Sequence, residues 1–332
     1  MEIVLKKSSV RREKPSNYNP EDDHLFKRYW VSNRPECHIL LLKNVTVVWY
    51  SILNLKKFKF YDEYTAYTKI KNITKLKRIG YFFLKKSIKI EKAVWIIDGF
   101  SLNYYHWFTE CLPRLLMAEK FIKGHQLILP EKFKDFSFVR DSLDYLGIET
   151  YYFDPFVNIK ISQLILTSEI GRMAEYQKEL LFKLKEKFNL DEVPIEPKRK
   201  IFIARKSAKA RNILNEKELF DVLSQFDIEI HYFDDYSLSI QIDLMKETHT
   251  LIGIHGAGLT NMLFMPSGGN VLEFRNGIDG GASTNCYFNL ASELGLNYFY
   301  TTNKSTDPKT NHADFEIDLY KFKIALNAMF RI

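Results

Sequence analysis

The chain has 332 residues, enough at about 150 per domain for two domains that each bury a core. Hydrophobic residues make up 46% and charged residues 27%, with 14 Gly and 10 Pro, which excludes wholesale disorder and fibrous or stapled miniature scaffolds. Forty-eight Lys and Arg against 41 Asp and Glu leave +7, and with 19 Tyr and 26 Phe the chain leans towards acidic or sugar-like partners.

Cys37, Cys111 and Cys286 are widely spaced and form no C-x-x-C, so neither a disulfide framework nor a cysteine zinc site is indicated, and a reducing compartment is the simplest reading. The start, MEIVLKKSSVRREKPSNYNPEDD, has no apolar core of the secretory kind, and no later stretch approaches ~20 uninterrupted apolar residues. The expectation is a cytoplasmic protein, at most peripheral on the inner face of a membrane.

In chain order, the first feature is charge. Asn54 to Lys92 carries twelve Lys/Arg against Asp62, Glu63 and Glu91, a net +9, so the remainder is slightly acidic. KKFKFY and KSIKIEK alternate apolar and basic residues, the period-2 pattern of strands with one wet face. The stretch reads as a solvated face of a β-rich region or as a surface for anionic lipid or an acidic polymer.

From Ala93 short apolar runs alternate with helical segments: AVWIID, NYYHWFTECLPRLLMAEKF, QLILP, FKDFSFVRDSLDYLG and ETYYF give β-α-β-α-β. A helical stretch, GRMAEYQKELLFKLKEKF, leads into NLDEVPIEPKRK, which places the interdomain boundary near Pro194 to Pro197. The alternation then restarts, with strands KIFIA, IEIHYF, TLIGI, NVLEF and LNYFYT and intervening helices that include AGLTNMLFM, a second α/β unit of Rossmann type. Asp314, Glu316 and Asp318 open the terminal segment as acids in the first turn of a last helix. The expected domains are residues 1–194, divided into a basic β-rich region (1–92) and an α/β region (93–194), then 195–311, then a terminal helix over 312–332.

Four constellations are candidates for chemistry. Asn103, His106, Glu110 and Arg114 fall at spacings of three, four and four on one stripe of a helix whose other faces are apolar, and Pro113 removes the donor to the Thr109 carbonyl, so a kink is expected. Glu110, shielded by Trp107 and tyrosines, is the candidate general base with His106 supporting it, unless the two only bond each other at i, i+4.

In TLIGIHGAGLTNMLFM an apolar strand runs into His255, Gly256, Ala257 and Gly258 and then a helix, so backbone can approach a ligand and free N–H groups attract phosphate; a purely structural turn is the alternative. Glu273, ending NVLEF, stands where such a site holds ribose hydroxyls, though strand-end carboxylates are common. Arg205, Lys206, Lys209 and Arg211 follow KIFIA at the ligand edge, as a diphosphate cradle or a solvated basic loop. Neither G-x-G-x-x-G nor a P-loop occurs, and no D-x-D presents a metal site; Asp234-Asp235 is a poor substitute.

NYYHWFTECLPRLL, FIARKSAKARNILNEKEL and IGIHGAGLTNMLFMPSGGNVLEF, in that order, resemble glycosyltransferase family 61, including its capsular-polysaccharide-type bacterial members, from about Ile97 to Phe274. Asn103, His106 and Glu110 match its N-x-x-H-x-x-x-[DE] pattern, Arg205 its basic strand end, and His255, Gly256, Gly258 and Asn261 its glycine turn. The resemblance implies a GT-B arrangement of two Rossmann-like domains facing across a cleft, with the acceptor on the N-terminal side, where Asn103, Trp107 and Arg114 would bind it. It also implies inverting, metal-independent transfer, without a cofactor, from a nucleotide-diphosphate sugar of the UDP type. The acceptor would be a hydroxyl of a surface glycan or glycolipid, such as capsule or lipopolysaccharide, and nucleic acid is no expected partner. Two alternatives are a non-catalytic glycan- or nucleotide-binding protein and a transferase of another group to the same polymers.

Overall fold

The alternating apolar runs form strands and helices in the computed structural model, which describes residues 1–66, 70–171, 174–188, 196–206 and 210–330. Contacts gather into two units, one of Met1–Ser8 with Pro35–Ile170 and one of Ser9–Arg34 with Gly171–Ile332.

In the first unit, strands β1 (Cys37–Val48), β2 (Ser87–Trp95), β3 (Gln126–Pro130), β4 (Thr150–Phe153) and β5 (Asn158–Thr167) lie in the order β1-β5-β2-β3-β4. The four from β5 to β4 are parallel, while β1 runs antiparallel to β5 and carries short antiparallel strands at its outer side. The sheet is therefore mixed. Val94, Trp95, Leu127, Ile128 and Leu164 are fully or almost fully buried, because strands covered on both faces need near-continuous apolar runs.

Two expectations for this unit change. KSIKIEK lies in β2 as expected, but Asn72–Leu84 is a helix. Its apolar residues Ile73, Leu76, Phe83 and Leu84 recur at helical spacing, and this outweighs the short alternations on either side. Strand β5 is additional to the expected elements, although NIKISQLILT alternates from Asn158 onward.

The second unit's sheet is made by β6 (Arg199–Ile203), β7 (Glu229–His231), β8 (Thr248–Ile254), β9 (Asn270–Asn276), β10 (Asn297–Ser305) and β11 (Phe315–Glu316). Their order is β7-β6-β8-β9-β10-β11, parallel except for β11. Helices at Glu216–Gln225, Leu238–Lys246, Cys286–Leu294 and Leu319–Phe330 complete an α/β layer structure around Phe202, Ile252, Leu272, Phe274 and Phe322.

The division at Ile170/Gly171 departs from the expected boundary near Pro194 to Pro197, and residues 189–195 lie outside those described. Helix Lys178–Lys187 belongs to the second unit because buried Lys185 donates from Nζ to the carbonyls of Leu263, at 3.3 Å, and Met265. Residues 9–34 join it too. Phe26 sits edge-on against Phe288 and Tyr300, at 5.2 and 4.8 Å, and buried Arg12 pairs with Glu293 at 3.1 Å. The terminal helix starts at Leu319; of the three acids only Asp318 caps it, accepting from Lys321 N at 3.0 Å. Glu316 lies in β11, and Asp314 accepts from Asn212 N at 2.8 Å.

Candidate active site

In the second unit the chain lays down β6, moves outward to β7, and returns to the other side of β6 with β8. Open α/β sheets bind ligands beyond the carboxyl ends of the strands at such a reversal. Arg205 and Lys206 follow β6 there, and the His255–Gly258 turn follows β8. Arg205, Lys206, Arg211, Gly256, Ala257 and Gly258 line a cavity of about 340 Å³, floored by Ile203 and Ile254 and reached by Asp234. A larger cavity of about 550 Å³ lies against Asn276, Thr302, Lys304 and Lys321, away from the reversal, and none of the candidate phosphate-binding residues lines it.

The glycines of the turn have separate reasons. A Cβ at Gly256 would stand 2.9 Å from Arg205 Nη1 and 3.1 Å from Arg211 Nη1, so its absence lets two guanidinium groups converge on the same stretch of backbone. A Cβ at Gly258 would stand 3.1 Å from Ile203 Cγ2, so here the missing side chain lets the turn close onto β6. After Gly256 a run of 3-10 helix spans Ala257–Phe264, tighter than the α-helix expected, and its first N–H groups open at the cavity. Asn261 is buried and donates to Gly258 O at 3.0 Å, which holds the turn from inside.

Arg211 donates to the carbonyl of His255 at 3.3 Å, and its buried Nε has no hydrogen-bond partner. Burial, and then the charge of Arg205, pushes its pKa down. Among the described residues no carboxylate pairs with Arg205 or Arg211, so two adjacent unpaired cations face a cavity that Asp234 also lines. Lys206 is otherwise engaged, bonding Asp235 at 2.7 Å on the surface. Lys209 lies outside the described residues.

Glu273 is not where a ribose would meet it. It is fully buried, with Oε1 2.5 Å from His255 Nδ1, Oε2 accepting from the Tyr298 hydroxyl and Arg275 Nη1 at 4.0 Å. Strand pleating contributes to this, since Glu273 and Arg275 are two apart on β9 and share a face. The carboxylate fixes the imidazole, with Nδ1 as the donor to Glu273. Burial, and then Glu273, pushes the Tyr298 phenol well up, so it stays a donor. Tyr298 and Arg275 carry no sequence signal beyond their places on neighbouring strands.

In the first unit Asn103 caps the segment starting at Tyr104, its side chain accepting from Tyr105 N at 2.9 Å. The helix widens into a π turn over Trp107–Cys111, ending two residues before Pro113, so the expected irregularity takes the form of a bulge. Across the bulge His106 Nδ1 stands 3.0 Å from Glu110 Oε1. Glu110 is 7% exposed, and Phe100, half exposed, lies over the His106 ring at 5.3 Å.

Two acceptor assignments fail on burial. Trp107 is fully enclosed and donates from Nε1 to Ser142 Oγ at 2.8 Å, a core contact. Arg114, 1% exposed, donates to Thr167 Oγ1 at 3.1 Å, Thr167 O at 2.9 Å and Tyr64 O at 3.1 Å, with Asp98 at 3.5 Å. It ties the helix to the sheet. Asp98, which no motif singles out although it ends the AVWIID run, accepts from Phe100 N at 2.9 Å and so shapes the loop that presents Phe100. Among the described residues no group of three or more His, Cys, Asp or Glu is placed to hold a metal ion.

The family model for Glycosyltransferase 61 matches residues 104–272, half of the chain, from just after Asn103 to just before Glu273. The EGF domain-specific O-linked N-acetylglucosamine transferases of Drosophila melanogaster, Pan troglodytes and Mus musculus are 33%, 34% and 33% identical to it over 108, 112 and 112 residues. Each alignment covers 32% of this chain and 20% of the relative, so the match spans about a fifth of the relatives' length. With the family model matching over half of its length, the chain belongs to glycosyltransferase family 61.

Proposed function

We propose that this chain transfers a sugar from a nucleoside diphosphate donor to a hydroxyl group of a glycan. The observation that carries the reading is the convergence of Arg205 and Arg211 over Gly256, two cations that no carboxylate among the described residues pairs with, at the carboxyl edge of the sheet reversal. A diphosphate supplies that charge, and the N–H groups opening the Ala257–Phe264 run add donors to its oxygens. Such a cradle stabilises the leaving group as the glycosidic bond to phosphate breaks, so we assign the reaction no metal and no cofactor.

Glu110 takes the proton of the acceptor hydroxyl as its oxygen forms the new bond, with His106 holding the carboxylate in place, and one such displacement inverts the anomeric carbon. Phe100 offers an aromatic face to the acceptor sugar. The GT-B arrangement and a surface-glycan acceptor belong to this proposal, and the names of the relatives make N-acetylglucosamine the first sugar to test.

The experiment is thermal denaturation across nucleoside diphosphates and nucleotide sugars, with and without chelator. A ligand at 100 times its Kd adds about 2.7 kcal/mol. A chelator-insensitive rise with uridine diphosphate is the expected result; a rise that chelator abolishes sinks the metal-free cradle, and none with any nucleotide sinks the donor assignment.

Gly256→Ala isolates the cradle. Its backbone is extended, which alanine adopts freely, and the atoms its Cβ would meet are the mobile ends of two arginines. Losing one charge-assisted contact, about 1.5–3 kcal/mol, lowers nucleoside diphosphate affinity about 10- to 100-fold by titration calorimetry with the melting temperature nearly unchanged. Unchanged affinity would remove the two arginines from the donor site.

A further inference from the structure

Helix Asn72–Leu84 turns its apolar face outward. None of its thirteen residues is buried. At 100° per residue Ile73, Leu76, Gly80, Phe83 and Leu84 share one arc of about 100°. On that arc Ile73, Leu76, Phe83 and Leu84 are 60%, 64%, 68% and 84% exposed. The other side of the helix makes the polar contacts with the unit: Lys75 Nζ is 2.5 Å from Asp62 Oδ2, Arg78 bonds Ser51 Oγ, and Asn158 Nδ2 donates to the carbonyls of Tyr81 and Phe82 at 3.0 and 3.1 Å. A helix serving only the core would point these faces the other way.

The surroundings say what covers the arc. No Asp or Glu lies between Glu63 and Glu91, while eight Lys/Arg do; exposed Lys77 stands beside the arc, and exposed Lys71 and Lys86 flank the two ends of the helix. Four such side chains expose roughly 500 Å² together, short of the ~800 Å² per partner of a stable protein interface. An apolar strip bordered by lysines instead fits a bilayer surface, where apolar side chains enter the acyl boundary and ammonium groups stay among anionic headgroups. We propose that Asn72–Leu84 is an interfacial helix that holds this protein on an anionic lipid surface. No helix among the described residues is long and apolar enough to cross a membrane, so the contact proposed is peripheral.

The test is co-sedimentation of the full chain with phosphatidylcholine vesicles, with and without phosphatidylglycerol, over a salt series. Wild type is retained by the anionic vesicles at low salt and released as salt rises. Because a chain of net +7 adheres to any anionic surface, the apolar arc decides. Leu76→Ser with Phe83→Ser lowers the partition coefficient at least about tenfold, and Lys77→Ala or Lys86→Ala lowers it about fivefold each. Unchanged melting temperatures show that the loss is not unfolding. Equal retention of wild type and the double serine variant overturns the proposal, as does no retention at all. A dimer in analytical ultracentrifugation that the serine variant dissolves would assign the arc to a second copy and overturn it equally.

Discussion

Replacing Glu110 by glutamine is expected to cut sugar transfer about 10²- to 10⁴-fold, the range that a positioned proton-transfer group supplies. The substitution keeps the shape of the side chain and its place beside His106 Nδ1, 3.0 Å away, but removes the ability to take a proton. The loss should therefore fall on kcat. Nucleoside diphosphate binding, which the proposal assigns to residues of the second unit, should stay at the wild-type level. His106→Asn tests the supporting role and should cost less, because the carboxylate remains and only its orientation loosens. Near-normal turnover of Glu110→Gln would reduce the pair to an i, i+4 contact of the ordinary helical kind.

Most of the second unit is legible in its sequence, because parallel strands covered on both faces announce themselves as apolar runs, and KIFIA, TLIGI and NVLEF all form the strands their composition predicts. The glycine turn is legible for the same reason: Gly256 and Gly258 interrupt the pattern at a strand end, and each is required by a specific neighbour. The membership of residues 9–34 is not legible. It depends on Phe26 and Arg12 finding Phe288 and Glu293 more than 250 residues later, and no local periodicity encodes such a contact.

The polar stripe shows where pattern reading stops. Asn103, His106, Glu110 and Arg114 share a face by spacing, yet the structure divides them by burial. Asn103 is spent on a cap, Arg114 on three hydrogen bonds to the sheet and its neighbouring loop, and only His106 with Glu110 forms a pair suited to chemistry. Spacing identifies a face, whereas the depth of that face depends on strand β5 and on the Tyr64 segment, which lie far away in sequence. The basic region misleads in the opposite sense: the short alternations at KKFKFY and KSIKIEK suggest strands throughout, but Asn72–Leu84 between them has a helical period of its own.

Glu273→Gln should destabilise the protein by about 3–5 kcal/mol, the cost of leaving a buried charge without its partner. Here that charge is Arg275, fully buried, with Nε and Nη2 unbonded and Glu273 Oε2 4.0 Å from Nη1. Stability totals of about 5–15 kcal/mol make this a large fraction, and about 2–4 °C of melting temperature per kcal/mol makes it easy to read. Tyr298→Phe removes one donor from the same carboxylate and should cost less, about 1.5–3 kcal/mol. The double variant should then fall short of the sum, since both changes disturb one network. A glutamate serving ribose hydroxyls behaves otherwise: its loss lowers nucleotide affinity and leaves the unfolding midpoint in place. Because Glu273 also holds His255 Nδ1 at the edge of the glycine turn, the buried-support role predicts that stability falls first and that nucleotide affinity falls only as far as His255 and the Gly256 backbone move. A variant that melts with wild type but binds nucleotide weakly would return Glu273 to the ribose.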